Sequence, residues 1–112
     1  MKFSLEERIK LLKAIESYPI ENQRQLAQVI ELSLGKTNFI LRKFIEVGLV
    51  KLSNFSQSDN KIGYTYILTP RGISEKFKLS VEFLERKEKE YLNLNKEIEV
   101  LKLDLEEEKD LG

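Results

Sequence analysis

Residues 22–49 read NQRQLAQVIELSLGKTNFILRKFIEVGL, a stretch that predicts two short helices in quick succession. Asn22 can cap the first helix, with Gln25 at the reciprocal capping-box position, and Ser33 can cap the second. Gly48 is expected to end the second helix, because glycine readily adopts the left-handed conformation that follows many helix C-termini. The connection between the two helices is therefore very short, as in a helix-turn-helix.

One helix is predicted before this pair and a hairpin after it. Apolar residues recur at helical spacing over residues 5–17, with Ser4 as N-cap, Glu7 at the capping-box position and Pro19 beyond the end. After Gly48 the apolar period changes to two, and residues 49–55 and 64–68 predict two strands joined by a loose polar tip. The order helix, helix, helix, hairpin predicts a winged helix-turn-helix domain over residues 1–72, although three amphipathic helices can also form a simple bundle.

A long helix is predicted from residue 73 to the end of the chain, because neither Pro nor Gly interrupts the sequence again before Gly112. At 1.5 Å per residue, its stretch 73–105 would be about 50 Å long, too long to lie wholly on one small domain. Phe77, Val81 and Phe83 are expected to anchor this helix to its own domain. The predicted fold is thus mainly α with a small β-hairpin, and residues 73–112 form a dimerisation helix.

This last helix carries a heptad repeat of apolar residues. With Leu84 at position a, the a and d positions are Leu84, Lys87, Tyr91, Leu94, Ile98, Leu101 and Leu105, all apolar except Lys87. The repeat predicts a coiled coil between two copies of the chain, either parallel or antiparallel. In a parallel pair, Glu97 and Lys102 would form an interchain ion pair. The alternative is that the same residues fold back on their own domain.

Composition argues against an enzyme. The 112 residues include no Cys and no His, so disulfides, the common zinc sites and the Ser-His and Cys-His nucleophile systems cannot be built. We expect no catalytic residues, no metal and no cofactor. Neither a membrane span nor a signal peptide is evident, and a cytoplasmic protein is expected.

The formal net charge of zero hides an asymmetry between the two ends of the chain. Residues 1–79 contain 13 Lys and Arg against 8 Asp and Glu, whereas residues 80–112 contain 6 against 11. A basic first part is attracted to a polyanion such as double-stranded DNA, and an acidic tail is repelled by it. An ordinary surface charge is the alternative explanation.

The chain also resembles a known family. The motifs are NQRQLA from residue 22, LSLGKTN from residue 32, VGLV from residue 47 and LTPRG from residue 68. Together they resemble the MarR-type winged-helix regulators, and nearest to them the small exopolysaccharide-associated branch. This resemblance implies a bacterial transcriptional regulator. The chain is shorter than the larger members, which carry further helices around an effector crevice, so an effector ligand stays an open question.

Candidate DNA contacts lie mainly on the outer face of the second helix of the pair. If Thr37, Ile40, Leu41 and Phe44 face the core, the residues left outside can read bases or bind phosphates. With the flanking helix, the wing and the residue after it, the candidates are Gln23, Arg24, Ser33, Gly35, Lys36, Asn38, Phe39, Arg42, Lys43, Lys61 and Arg71. Asn38 and Arg42 are the expected base readers, and Lys36 and Lys61 the expected phosphate contacts. Phe39 is also a candidate DNA contact, and the alternative is that it packs in the core.

Two functions are compatible with these patterns. The first is a homodimeric, sequence-specific transcriptional regulator that binds double-stranded DNA. The second is a winged-helix protein-interaction module whose coiled coil is the main binding element and which does not contact DNA. Salt-dependent affinity for DNA distinguishes the first from the second.

Overall fold

The computed structural model describes residues 3–58 and 61–111, with side-chain surroundings for all of these except 55–58 and 61–63. Its elements are α1 (Leu5–Ser17), α2 (Gln23–Ile30), α3 (Leu34–Glu46), β1 (Val50–Ser58), β2 (Lys61–Leu68) and α4 (Pro70–Leu111). The chain forms two compact units, Met1–Ser80 and Val81–Gly112, and α4 contributes to both. The predicted fold class, mainly helical with one hairpin and a long C-terminal helix, is confirmed.

The first three helices begin at the predicted caps. The Ser4 hydroxyl accepts from the Glu7 backbone N–H, and the Glu7 carboxylate accepts from the Ser4 backbone N–H, which completes a capping box. Asn22 caps α2 by accepting from the Gln25 backbone N–H at 2.8 Å. The reciprocal bond differs from the prediction, because the Gln25 side chain accepts from the backbone N–H of Glu21 and not of Asn22.

The core of the first unit is formed by the inner faces of α1, α2 and α3, together with residues that flank them. Its fully buried apolar side chains are Leu11, Leu12, Ile20, Leu26, Ile40, Leu41 and Val50. All four residues of α3 predicted to face inward, Thr37, Ile40, Leu41 and Phe44, are buried. This burial fixes which face of α3 is turned outward.

The hairpin is longer than predicted. β1 and β2 pair antiparallel from Val50 opposite Leu68 to Ser58 opposite Lys61, with an irregular register between Ser56 and Ser58. The prediction ended each strand where the apolar alternation ends. The backbones continue to pair beyond that point, because pairing near the tip does not require apolar side chains. The Tyr66 backbone N–H donates to the Ile20 carbonyl at 3.0 Å, which ties β2 to the segment between α1 and α2.

Helix α4 begins at Pro70 and not at Ile73, because Thr69 caps it. The Thr69 hydroxyl accepts from the Gly72 backbone N–H and donates to the Gly48 carbonyl. A Cβ atom on Gly72 would lie 2.0 Å from the Leu49 carbonyl oxygen, so this position needs glycine. The hydroxyl and the close approach together join the end of α3 to the start of α4.

The predicted anchors of α4 are wrong for two of the three residues. Leu79 is buried, whereas Phe77 is 72% exposed and Val81 is also exposed. Gly72 sets the inward face, and at about 100° per residue Leu79 returns to that face while Phe77 and Val81 point away from it. Phe83 is half-buried, with the Lys87 ammonium 5.1 Å from the centre of its ring.

Candidate nucleic-acid interface

The outer face of α3 is a shallow concave surface. It is lined by Gly35, Asn38, Phe39, Arg42, Lys43 and Glu46, and the concavity measures about 380 Å³. Five of the predicted contact residues are therefore brought together on one helix face. Glu46 was missed, although its position four residues after Arg42 puts both side chains on the same face. We call this set the α3 face.

Lys36 does not line the α3 face. Its ammonium forms an ion pair with the Glu7 carboxylate at 2.6 Å, so the first turn of α3 is joined to the first turn of α1. The pKa of Glu7 falls from 4.5 to about 2, first because of the hydrogen bond from Lys36 and second because of the bond from the Ser4 backbone. The capping-box motif predicted the bond between Glu7 and the Ser4 backbone, but no local pattern indicated that Lys36 would be a second, distant partner of Glu7.

Phe39 is 40% exposed, and the ring it contacts belongs to Phe3. The two rings meet edge to face with their centres 6.0 Å apart, and Phe3 makes the same kind of contact with Phe44. The Arg8 guanidinium lies 5.2 Å from the centre of the Phe3 ring. Phe39 is therefore only partly buried, and one side of its ring packs against Phe3.

The other predicted contact residues lie outside the α3 face, on α2, at the cap of α3, on β2 and on α4. Gln23 and Arg24 occupy the first turn of α2, where Arg24 is exposed, and the Ser33 hydroxyl caps α3 by accepting from the Lys36 backbone N–H. Arg71 is exposed in the first turn of α4, and its Nη1 atom would lie 3.4 Å from a Cβ on Gly48. Lys61 is the first residue of β2, and its side chain lies outside the described residues.

The predicted seam is exposed along the second unit. The six apolar seam residues, Leu84, Tyr91, Leu94, Ile98, Leu101 and Leu105, are all exposed in the single chain. Lys87, the polar seam residue, pairs with Glu90 on its own helix at 3.1 Å. In the single chain, Lys102 approaches Glu99 of its own helix at 3.9 Å. The interchain contact of Lys102 with Glu97 stays a prediction.

A second apolar stripe lies on the opposite side of the same helix. Leu92, Val100 and Leu103 are also exposed. At about 100° per residue, Val100 is turned about 200° from Ile98, so the two stripes cannot face one partner helix together. The heptad analysis missed this stripe because it followed only the a and d positions.

Solved structures similar to this chain include MarR-family transcriptional regulators. A MarR-family transcriptional regulator from Silicibacter pomeroyi matches with a TM-score of 0.56 and 20% identity, over 71% of this chain and 50% of that one. Smu.1704 from Streptococcus mutans matches with a TM-score of 0.61 and 17% identity, over 78% of this chain and 87% of that one. The fold is a winged helix-turn-helix.

A third similar structure contains DNA. Lactococcus lactis ZitR in complex with DNA matches with a TM-score of 0.55 and 19% identity, over 84% of this chain and 61% of that one. The chain thus spans about half the length of the Silicibacter regulator and about three fifths of ZitR. No protein-family model matches the chain, and no curated protein sequence is significantly similar to it.

None of the helices in the described part of the chain is both long and apolar enough to cross a membrane. Among residues 3–58 and 61–111, no group of three or more acidic residues is arranged to hold a metal ion.

Proposed function

We propose that this protein is a sequence-specific, DNA-binding transcriptional regulator of the MarR type that acts as a homodimer. The observation that carries the proposal is the α3 face. It gathers an amide, two cations, an aromatic ring and a glycine on the outer side of the second helix of a helix-turn-helix. In that arrangement the second helix enters the major groove, where Asn pairs well with adenine and Arg with guanine.

Five of the six residues of the α3 face have a role in this proposal, and only Glu46 is given none. Asn38 and Arg42 read base edges, Lys43 binds phosphate, and Phe39 contacts a thymine methyl group. Gly35 lets the helix backbone approach the DNA closely. Lys61 in β2 contacts phosphate beside the groove, and Gln23 and Arg24 contact phosphate from α2.

Support also comes from similar folds and from charge. ZitR, whose structure is similar over most of this chain, was crystallised with DNA. The excess of cations in residues 1–79 suits a polyanion, and the acidic tail suits a helix held away from it. The sequence motifs resemble the exopolysaccharide-associated branch most, which makes promoters of polysaccharide genes a reasonable first source of test DNA.

The dimer is proposed to form through the a and d residues of α4. Two weak half-site contacts joined in one dimer gain affinity through effective concentration. A two-fold symmetric dimer should prefer an inverted repeat with half-site centres about 10 base pairs apart.

Fluorescence anisotropy with a selected duplex and a scrambled duplex tests this function. We expect Asn38→Ala and Arg42→Ala each to cost about 1 to 3 kcal/mol on the selected duplex and little on the scrambled one. Lys61→Ala should weaken both equally and reduce the salt slope by about 0.9 per protomer, or about 1.8 for the dimer, because each protomer loses one phosphate contact. Lys96→Ala on α4, with the same change of charge, should do neither.

The outcomes separate the two candidate functions. Affinity that does not change with salt concentration, or no binding to either duplex, would contradict the DNA-binding function and favour the protein-interaction module. The second stripe on α4 is a candidate surface for that module. Equal losses on both duplexes for Asn38→Ala and Arg42→Ala would show that α3 does not read bases.

A further inference from the structure

Glu7 lies in the first turn of α1, outside the α3 face, and its carboxylate makes two contacts. The Glu7 carboxylate accepts from the Ser4 backbone N–H at 2.8 Å and binds the Lys36 ammonium at 2.6 Å. It therefore has two partners, one within its own helix turn and one on α3. The bond to Ser4 is part of the capping box, so losing it would change the start of α1.

This ion pair is more firmly held than an ordinary surface pair. The side chains of Lys36 and Glu7 are only 34% and 17% exposed, so salt screens their attraction less than it screens a fully exposed pair. Phe3, just before the cap of α1, packs on both Phe39 and Phe44 of α3. The contacts of Phe3 keep the first turn of α1 against α3 and hold the two charges together.

The position of Lys36 explains why it needs a carboxylate nearby. Lys36 lies in the first turn of α3, whose backbone N–H groups already give that end of the helix a partial positive charge. A cation there is unfavourable without a counter-charge. In the described structure, Glu7 supplies it, and the pKa of Glu7 is lowered accordingly.

We propose that Glu7 neutralises Lys36 and thereby lowers the affinity of the protein for DNA of any sequence, so that base contacts from the α3 face decide binding. The proposal rests on the proposed function and adds to it a residue that limits sequence-independent affinity. A phosphate near the start of α3 meets an ion pair in place of a free ammonium. Phosphate contacts raise affinity for all sequences, whereas base contacts raise it only for the preferred site. Removing one phosphate-binding charge thus lowers affinity for every sequence by a similar factor, so that only a site that also offers base contacts is still bound tightly.

Glu7→Gln frees Lys36 while keeping an oxygen that can accept from the Ser4 backbone N–H. We expect this variant to bind a scrambled duplex about twofold to fivefold more tightly at low salt, the range of a partly exposed charge pair. Its salt slope should steepen by about 0.9 per protomer, or about 1.8 for the dimer, because each protomer contacts one more phosphate. It should bind the selected duplex more tightly by a similar factor, because a phosphate contact carries no sequence information.

Three control variants separate this effect from other changes. Glu16→Gln removes the same charge from the last turn of α1 and breaks the ion pair of Glu16 with Lys76, a residue of α4. It should leave both affinity and salt slope close to wild type. Glu7→Gln combined with Lys36→Met has the wild-type net charge and should return the slope to the wild-type value. Ser4→Ala weakens the same helix cap but keeps the ion pair, so it should not change the slope.

The result that overturns the proposal is a Glu7→Gln variant whose affinity for the scrambled duplex and salt slope match those of wild type or of Glu16→Gln. A wild-type protein that shows no salt-dependent binding at all contradicts the proposed function as well, and so the two failures are distinguishable. Circular dichroism checks that each variant is folded. If Glu7→Gln does not fold, Glu7→Asp keeps a carboxylate in the cap but shortens its reach toward Lys36, and the same steepening is expected.

Discussion

At the scale of single residues, Gly72 and Gly35 differ in the space that surrounds them. A Cβ on Gly72 would collide with the Leu49 carbonyl, so packing within the chain explains that glycine. A Cβ on Gly35 would meet nothing within 4 Å, so packing within the chain does not explain it. Gly35 is exposed in the first turn of α3 and lines the α3 face. The free space above it is consistent with a backbone that must come close to another molecule.

Gly35→Ala should therefore affect stability and DNA affinity in opposite directions. Alanine is favoured over glycine in a helix by up to about 1 kcal/mol, so the free energy of unfolding should rise or stay unchanged. Affinity for the selected duplex should fall at least about threefold, because the new methyl group keeps the backbone from the DNA. Urea denaturation and anisotropy measure the two effects.

Gly72→Ala is the contrasting variant for this experiment. It should be destabilised by about 1 to 3 kcal/mol or more, as expected when a methyl group is forced into a filled space. If Gly35→Ala binds the selected duplex as tightly as wild type, the backbone of α3 does not approach DNA at this position.

At the scale of elements, local signals in the sequence predicted the helix starts well. Ser4, Asn22 and Ser33 each cap a helix as expected, because capping depends on a few neighbouring residues. The start of α4 was placed too late, since Thr69 as its cap also depends on a bond to Gly48. The four inward residues of α3 followed from helical periodicity, and so did the composition of the α3 face.

Features that depend on distant partners could not be predicted in the same way. Helical spacing did not distinguish Leu79 from Phe77 as the anchor of α4, because the choice is set by how closely Gly72 approaches Leu49. The pairing of Lys36 with Glu7 needs α1 and α3 to meet, which no local pattern records. Lys36 was consequently predicted as a free phosphate contact, whereas in the structure it already has a carboxylate partner.

The capping box of α1 predicts a specific pH dependence. The pKa of Glu7 is about 2 in the folded chain against an ordinary value of 4.5, so folding favours its charged form. The stabilisation from this carboxylate is fully present above pH 4.5 and is lost as the pH falls toward 2. The difference in free energy of unfolding between wild type and Glu7→Gln should therefore shrink over this range.

Urea denaturation of both proteins at several pH values between about 2.5 and 6 measures this difference, since the other carboxylates titrate alike in both. In a Lys36→Met background, the same comparison should show a weaker pH dependence, because the main cause of the lowered pKa is gone. An equal pH dependence in both backgrounds would mean that Lys36 does not stabilise the Glu7 carboxylate.

At the scale of the whole molecule, assembly depends on which face of α4 meets a partner. The single chain exposes two apolar stripes between Leu84 and Leu105, and a pair of helices in a coiled coil buries only one of them. The a and d stripe is longer, with six apolar residues against three, and its spacing is that of a coiled-coil seam. We therefore expect it to be the dimer interface.

Ile98→Asp and Val100→Asp form a matched pair of variants that tests this assignment. Each replaces a β-branched apolar residue with the same charge, two positions apart on the same helix, and both residues are exposed in the single chain, by 39% and 55% respectively. If the seam is correct, Ile98→Asp buries a charge in the interface of both chains and should give monomers by light scattering, because an unpaired buried charge is strongly destabilising. Val100→Asp should remain dimeric.

The monomeric variant should stay folded in its first unit and bind an inverted-repeat duplex far more weakly, since effective concentration is lost. A dimeric Ile98→Asp beside a monomeric Val100→Asp would move the interface to the opposite stripe, and two dimeric variants would show that α4 does not hold the copies together.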